Sequence, residues 1–175
     1  DGAVTDNDKT DIGKGMPDFT YGITLSAAWK GIDFILFGTG SQGNDIYCCL
    51  NRVDYNLNRL KIFTADRWTE SNRDGSMPKS TATDYQKFMV SSGSVFDGSY
   101  FKIKQIQLGY TFPKQWVKKA ALENLRIYGS LEDFITLTSY KGFDPEVTGV
   151  GSALGVDKGT YPTSKKVVLG LSVTF

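Results

Sequence analysis

The 175 residues of this chain correspond to one ordinary domain, and the formal net charge of +1 argues against nucleic acid as a partner, because duplex binding depends on an excess of Lys and Arg on one face. The sequence has no His, which removes the commonest general base and metal ligand, so neither an enzyme, a metal site nor a cofactor is expected. Aromatic residues make up 13 % of the chain and 19 residues are Gly, a composition that favours strands and turns over helices.

The first two candidate strands are joined by a tight turn. Residues 18–30 alternate apolar side chains with small or polar ones, which predicts a strand with one continuous apolar face. Lys30-Gly31 then leads into a second strand near 32–40. Both faces of this second strand are partly apolar, so its second face is expected to be covered.

A third strand is predicted near 99–112, where the apolar phase changes within the strand. Either a β-bulge near Lys104 reconciles the two halves, or Lys102 and Lys104 face outward and reach lipid headgroups. Pro113 ends this strand because it cannot donate to a ladder. A short polar connection with one or two helical turns around Trp116 leads to a fourth strand near 125–138.

The last predicted strand, near 164–175, has the clearest alternation in the chain. One face is small or polar, and the other carries Val167, Leu169, Leu171, Val173 and Phe175. Such a strand fits a wall between lipid and a polar lumen, and it equally fits the final strand of a soluble sandwich. No run of about 20 apolar residues exists, so a transmembrane helix is not expected.

The connections between these strands differ in length in a regular way. Those at 30–31 and 113–124 are short, whereas those at 40–98 and 139–163 are long and rich in Gly, Asp, Asn and Ser. In a meander this alternation places short turns at one end and long loops at the other, as in outer-membrane barrels. The sequence therefore predicts an all-β antiparallel meander of about five strands over residues 1–175. Five strands do not close a barrel, so the chain is expected to belong to a larger one, and the loop-like residues 1–17 are expected to continue another loop.

Ordered motifs along the chain resemble the carboxy-terminal end of the SusC/RagA family of TonB-dependent outer-membrane transporters. Each motif alone is weak evidence for the family, but together the motifs cover most of the chain in the family's order. They are Asp18 to Gly22, Lys30 to Phe34, Gly40-Ser41-Gln42-Gly43-Asn44-Asp45-Ile46-Tyr47, Arg67-Trp68-Thr69, Asp97 to Lys104, Leu108-Gly109-Tyr110-Thr111, Leu125 to Tyr128, Tyr140 to Glu146 and Leu169 to Phe175. Two departures are Glu132-Asp133-Phe134, where the family usually has a Gln-Asn-Leu run, and Cys48-Cys49, where Asn usually follows the Tyr.

The resemblance implies a transmembrane barrel of roughly 22 strands in the outer membrane of a Gram-negative bacterium. It further implies an energy-coupled importer of oligosaccharides or peptides, with a plug and a TonB-binding segment that are missing from this sequence. A SusD-like surface lipoprotein is the expected partner, and 40–98 and 139–163 are the expected external loops. The alternative from another class is a soluble all-β carbohydrate-binding or adhesin module.

Candidate binding residues are aromatic side chains on the long loops, where their flat faces could stack on sugar rings. They are Tyr47, Trp68, Tyr140, Phe143 and Tyr161. The alternative is that these rings pack loop against loop or against the lipoprotein. Phe175 is a candidate signal for the barrel-insertion machinery, as the resemblance suggests, and it could also be an aromatic-belt residue at the membrane interface.

The remaining polar candidates have simpler interpretations. Asp144, Glu146 and Asp157 invite comparison with a glycosidase pair, but closeness in a loop does not set two carboxyl groups across a sugar. Asp144-Pro145 is instead typical of a turn. Cys48 and Cys49 are adjacent, so a disulfide between them would be strained, and they are expected to be buried or half-buried thiols without a role.

Overall fold

The computed structural model describes residues 5–50, 60–79, 88–147, 149 and 151–175. It divides into two compact units. The sheet unit contains Phe19–Gln42, Ser99–Thr138 and Pro162–Phe175, and the loop unit contains Asp1–Asp18, Gly43–Gly98 and Ser139–Tyr161.

Strands dominate the described residues, and the helices are short. The strands are β1 (Phe19–Trp29), β2 (Ile32–Gln42), β3 (Asp45–Cys48), β4 (Val95–Asp97), β5 (Tyr100–Thr111), β6 (Asn124–Thr138), β7 (Val156–Asp157) and β8 (Lys166–Thr174). An α-helix, α1 (Lys114–Val117), follows β5, and 3₁₀ turns occupy Asp6–Asp8, Lys61–Phe63, Ser92–Ser94, Lys118–Ala120 and Gly151–Ala153. None of the described helices is long and apolar enough to cross a membrane.

The sheet unit is built from the five long strands in the order β1-β2-β5-β6-β8. Every neighbouring pair is antiparallel, which confirms the predicted five-stranded meander. The turn between β1 and β2 has positive φ at both Lys30 and Gly31, as a two-residue hairpin requires to match strand twist.

The two long connections begin and end at one end of this sheet. Phe19 pairs with Gln42, Ser41 pairs with Tyr100, and Tyr100 pairs with Thr138. The hairpin at Lys30 and the connection through α1 lie at the opposite end. The alternation of short and long connections expected from the sequence is therefore confirmed.

The predicted bulge in β5 is present at Lys104. Pairing with β2 passes from Gln105 directly to Ile103, and pairing with β6 shifts at the same place. Opposite the bulge, Asp133 has a φ of 57°, and its carboxylate lies 3.5 Å from the Lys104 ammonium. Lys102 does not face outward toward headgroups: it is buried, and its ammonium donates to the Thr163 hydroxyl at 3.1 Å.

The loop unit has its own small sheet, which the sequence did not predict. β3 pairs antiparallel with β4 and parallel with β7. Beside it, Cys48, Leu50 and Phe63 form a buried apolar cluster. The Phe63 ring contacts Phe88 and Phe96 edge to face at centroid distances of 6.2 Å, so three aromatic rings pack together in the core of this unit.

Candidate functional site

One face of the five-stranded sheet is continuously apolar and exposed. Paired residues share a face, so the register aligns Leu25 with Leu36 and Ile106, and continues through Leu131 to Val167. Large side chains on this face remain exposed, with Leu25 57 %, Leu108 58 %, Leu171 66 % and Leu169 84 % accessible. These side chains do not meet in a closed two-sheet core, as a soluble sandwich would require.

Aromatic residues mark both ends of this apolar face. Phe19, Tyr21 and Phe101 lie at the long-loop end, where the Tyr21 and Phe101 rings stack at a centroid distance of 5.8 Å. Trp29 and the edge-to-face pair Tyr110 and Phe112 lie at the short-turn end. The ten steps from Phe19 to Trp29 span about 33 Å, and a strand tilt of about 40° reduces this to about 25 Å, the height of the apolar band in outer-membrane barrels.

The opposite face of the sheet is mostly small or polar, although the half-buried Ile35 and Phe37 of β2 also lie on it. Its main feature is an ion pair across three strands. The Arg126 guanidinium on β6 donates to both carboxylate oxygens of Asp33 on β2, at 3.0 and 2.6 Å. Between them β5 has Gly109, where an added Cβ would lie 2.4 Å from the Asp33 carboxylate. The Arg126 guanidinium also lies over the Tyr128 ring, 4.9 Å from its centroid. Asp33, Arg126 and Tyr128 thus form one polar cluster on this face of the sheet.

Two of the five aromatic residues predicted to bind substrate have hydroxyl groups that already donate hydrogen bonds within the loop unit. Tyr140 is only 6 % exposed, and its hydroxyl donates to the buried Asp157 carboxylate at 2.5 Å. Burial and this hydrogen bond raise the pKa of Tyr140 far above the ordinary range of a phenol. Tyr47 on β3 is half-buried and donates to the Met89 carbonyl at 2.7 Å, and burial raises its pKa as well. Tyr140 is therefore a core residue of the loop unit and is not part of the proposed binding surface.

The other three predicted aromatics are accessible. Phe143 and Tyr161 are 58 % and 85 % exposed. Trp68 is half-buried and lines a pocket of about 340 Å³ together with Arg67, Thr69, Glu70 and Lys79. Tyr47 lines a different pocket of about 370 Å³, near Asp45 and Leu154. The structure therefore separates Tyr47 from Trp68 rather than collecting the five rings into one site.

The carboxylates and thiols occupy structural positions. Asp144 accepts a hydrogen bond from the Glu146 amide at 3.0 Å, the turn role expected from the sequence. Asp157 accepts from the amides of Gly159 and Thr160 as well as from Tyr140. Cys48 is buried and Cys49 half-buried, both as free thiols, and burial raises the pKa of each. Within the described residues no cluster of three or more potential ligands could hold a metal ion.

Sequence reasoning missed the Asp33–Arg126 pair and the two cations beside Trp68. Asp33 and Arg126 are 93 residues apart, and no local pattern marks them as partners. Lys79 lies 11 positions from Trp68 in a stretch that has no periodicity, although its ammonium is 5.8 Å from the ring centroid.

Comparisons with known proteins agree on one family. The chain is 29 % identical to the TonB-dependent receptor P26 of Formosa agariphila over 184 residues, which cover all of the chain and 19 % of that protein. It is 25 % identical to the TonB-dependent receptor SusC of Bacteroides thetaiotaomicron, over 99 % of the chain and 17 % of that protein. No protein-family model matches the chain.

The fold has a close counterpart among solved structures. The RagAB peptide importer in its closed-closed state superposes with a TM-score of 0.78 and 26 % identity, over all of the chain and 19 % of the matched protein. In its open-open state it superposes over 91 % of the chain with a TM-score of 0.69. The chain thus spans about a fifth of the length of its relatives. It is 31 % identical to the TonB-dependent receptor P39 of Formosa agariphila, over 97 % of the chain and 17 % of that protein. The chain therefore belongs to the TonB-dependent receptors related to SusC and RagA, as part of their barrel.

Proposed function

We propose that this chain is the carboxy-terminal part of an energy-coupled outer-membrane importer of oligosaccharides or peptides. The observation that carries the proposal is the two-sided sheet, apolar and exposed on one face and polar on the other, with aromatic residues at both ends of the apolar face. Lipid covers the apolar face, and the polar face lines the lumen. This arrangement favours a membrane wall over the soluble binding module.

The long connections are the proposed external loops. They leave the sheet at one end, as a meander in a barrel requires, and they carry the accessible rings of Trp68, Phe143 and Tyr161. An import pathway needs binding and a gate, so no chemical step is assigned to these residues. A SusD-like lipoprotein on the outer surface is the proposed partner for capture, and TonB is proposed to act through a segment outside this chain.

Uptake by cells that express the full-length protein tests the function. We expect import of fluorescently labelled oligosaccharides or peptides that stops when TonB is deleted or the proton gradient is collapsed. A second strain that lacks the proposed SusD-like lipoprotein tests the partner, because capture should weaken there while the barrel still inserts. Import that persists without TonB would contradict energy coupling, and absence of the protein from the outer-membrane fraction would contradict the localisation.

A further inference from the structure

We propose that the Trp68 pocket takes an acidic sugar, a pyranose with a carboxylate or sulfate group; this inference rests on the proposed function and names the substrate class of its loops. The pocket is lined by Arg67, Trp68, Thr69, Glu70 and Lys79, and its volume of about 340 Å³ is at the small end of the range for ligand pockets. It lies entirely within the loop unit.

The lining combines a flat aromatic surface with two cations. The Lys79 ammonium lies over the Trp68 ring, 5.8 Å from its centroid, and the exposed Arg67 side chain also lines the pocket. A sugar in van der Waals contact with Trp68, at about 4 Å, shares the ring surface with the Lys79 ammonium, so an anionic substituent on the sugar can pair with that ammonium. Charge-assisted hydrogen bonds to such a group are stronger than those to a neutral hydroxyl. Glu70 supplies one negative charge against the two positive charges, so the lining favours an anion.

The backbone around the pocket is already organised before any ligand binds. The Trp68 amide donates to the Met77 carbonyl at 2.7 Å, and the Met77 amide donates to the Asp66 carbonyl at 3.0 Å. The Asp66 carboxylate accepts from the Ser76 amide and hydroxyl at 3.0 and 2.8 Å. These contacts hold the segment carrying Trp68 against the segment carrying Lys79, so little ordering cost remains on binding.

The same hydrogen bonds favour a sugar over an acidic peptide. Extended peptides commonly bind by adding a strand to free backbone groups. Here the amides of Trp68 and Met77 are used within the loop, and Thr69 and Asn72 exchange backbone hydrogen bonds with each other at 3.1 and 3.0 Å. What the pocket presents is side chains: one ring, two cations and one carboxylate.

Calorimetric binding to the purified full-length protein tests the proposal. The probes are trigalacturonic acid, a sulfated galactose trisaccharide, neutral maltotriose and a tetraglutamate peptide. We expect at least one acidic sugar to bind about tenfold more tightly than maltotriose, the size of one charge-assisted hydrogen bond. The preference should shrink between 50 and 500 mM salt, and which acidic sugar binds better distinguishes carboxylate from sulfate.

Matched variants distinguish binding in the Trp68 pocket from non-specific electrostatic attraction of acidic sugars to the protein. Lys79→Gln should remove most of the tenfold preference and leave maltotriose binding unchanged, whereas Trp68→Ala should weaken both sugars. Glu70→Gln should strengthen acidic-sugar binding severalfold. The control is Arg73→Gln, which removes an exposed cation of the same loop outside the pocket lining and should change nothing.

Three outcomes would overturn the inference. These are equal affinity for acidic and neutral sugars, tightest binding of the peptide, or an equal loss in Arg73→Gln and Lys79→Gln. If TonB-dependent uptake of neutral oligosaccharides or peptides persists in such a case, the proposed function stands and only the substrate class is wrong. If no oligosaccharide or peptide is imported in a TonB-dependent way, the proposed function itself is wrong.

Discussion

Two small residues on the apolar face of β2 are covered by aromatic rings from neighbouring strands. A Cβ added at Gly40 would lie 2.4 Å from the Tyr21 ring, and one added at Gly38 would lie 2.5 Å from the Phe101 ring. Because glycine has no side chain, the two rings can lie directly against the backbone of β2 at the long-loop end of the apolar face. Gly109 has the equivalent role on the polar face, beneath the Asp33–Arg126 pair.

Gly38→Ala should therefore destabilise the barrel by about 1–3 kcal/mol, the usual cost of overpacking a filled site. The Phe101 ring must move, and the added methyl group would also lie 3.0 Å from the Lys102 carbonyl oxygen, a backbone atom that cannot swing away as a side chain can. Gly129→Ala on the same face is the control, because its nearest neighbour would be Leu169 at 3.5 Å, and it should change stability by less than about 0.5 kcal/mol. Urea titration in lipid vesicles measures the change in unfolding free energy of both variants. Equal changes would show that the contact between Gly38 and the Phe101 ring does not matter for stability.

At the scale of elements, β8 provides the sharpest test of which face meets lipid. Leu171 lies on the apolar face opposite Ile127, and Ser172 lies on the polar face opposite Arg126. Leu171→Arg should cost about 2 to 4 kcal/mol if the site is near the bilayer midplane, and Leu171→Glu should also destabilise the sheet. Ser172→Glu should be tolerated, because its carboxylate would lie in the polar lumen opposite the Arg126 guanidinium. Folding in lipid vesicles, followed by denaturant titration, gives these values. A larger loss for Ser172→Glu than for Leu171→Glu would reverse the assignment of the two faces.

The loop that carries Trp68 depends on a single carboxylate. The Ser76 amide, the Asn72 side chain and the Ser76 hydroxyl hold the pKa of Asp66 at about 2. This folded pKa is below the unfolded value near 3.9, so the stabilisation is complete above about pH 4 and is lost as the pH falls through about 2. Asp66→Ala should accordingly increase hydrogen exchange at the Ser76 and Met77 amides at pH 7. Asp74→Ala, an exposed carboxylate in the same loop, is the control, and unchanged exchange in Asp66→Ala would remove the proposed role.

Local alternation predicted the long strands and their faces because a period of two requires only neighbours within one strand. The bulge at Lys104 was predictable for the same reason, since it appears as a break in that period. β4 and β7 have three and two residues, too few for any period to show. Tyr140 was placed on an accessible surface because nothing near it in the sequence reveals Asp157, its buried partner 17 residues away.

Among the residues that the structure describes, β1 and β8 each have one neighbour in the five-stranded sheet. Unpaired strand edges are templates for further pairing, and an exposed apolar face beside them promotes aggregation in water. Both features are explained if the sheet is part of a closed barrel, as expected for a chain that spans about a fifth of its relatives. The remaining strands of that barrel would pair with β1 and β8.

Phe175 follows β8 and is 85 % exposed at the short-turn end of the sheet. We predict that it acts as an assembly signal, because the free edge of β8 can dock by strand addition while a pocket binds the adjacent aromatic side chain. Deleting Phe175 from the full-length protein should then strongly reduce its level in the outer membrane, measured by immunoblot of membrane fractions, while the stability of the barrel refolded in vesicles changes little.

The control is Trp29→Ala, which removes another exposed aromatic residue from the same end of the sheet. A belt role alone predicts that both variants insert normally and lose a similar small amount of stability. A signal requires that only the Phe175 deletion fails to assemble, and equal insertion of the two variants would leave Phe175 as a belt residue.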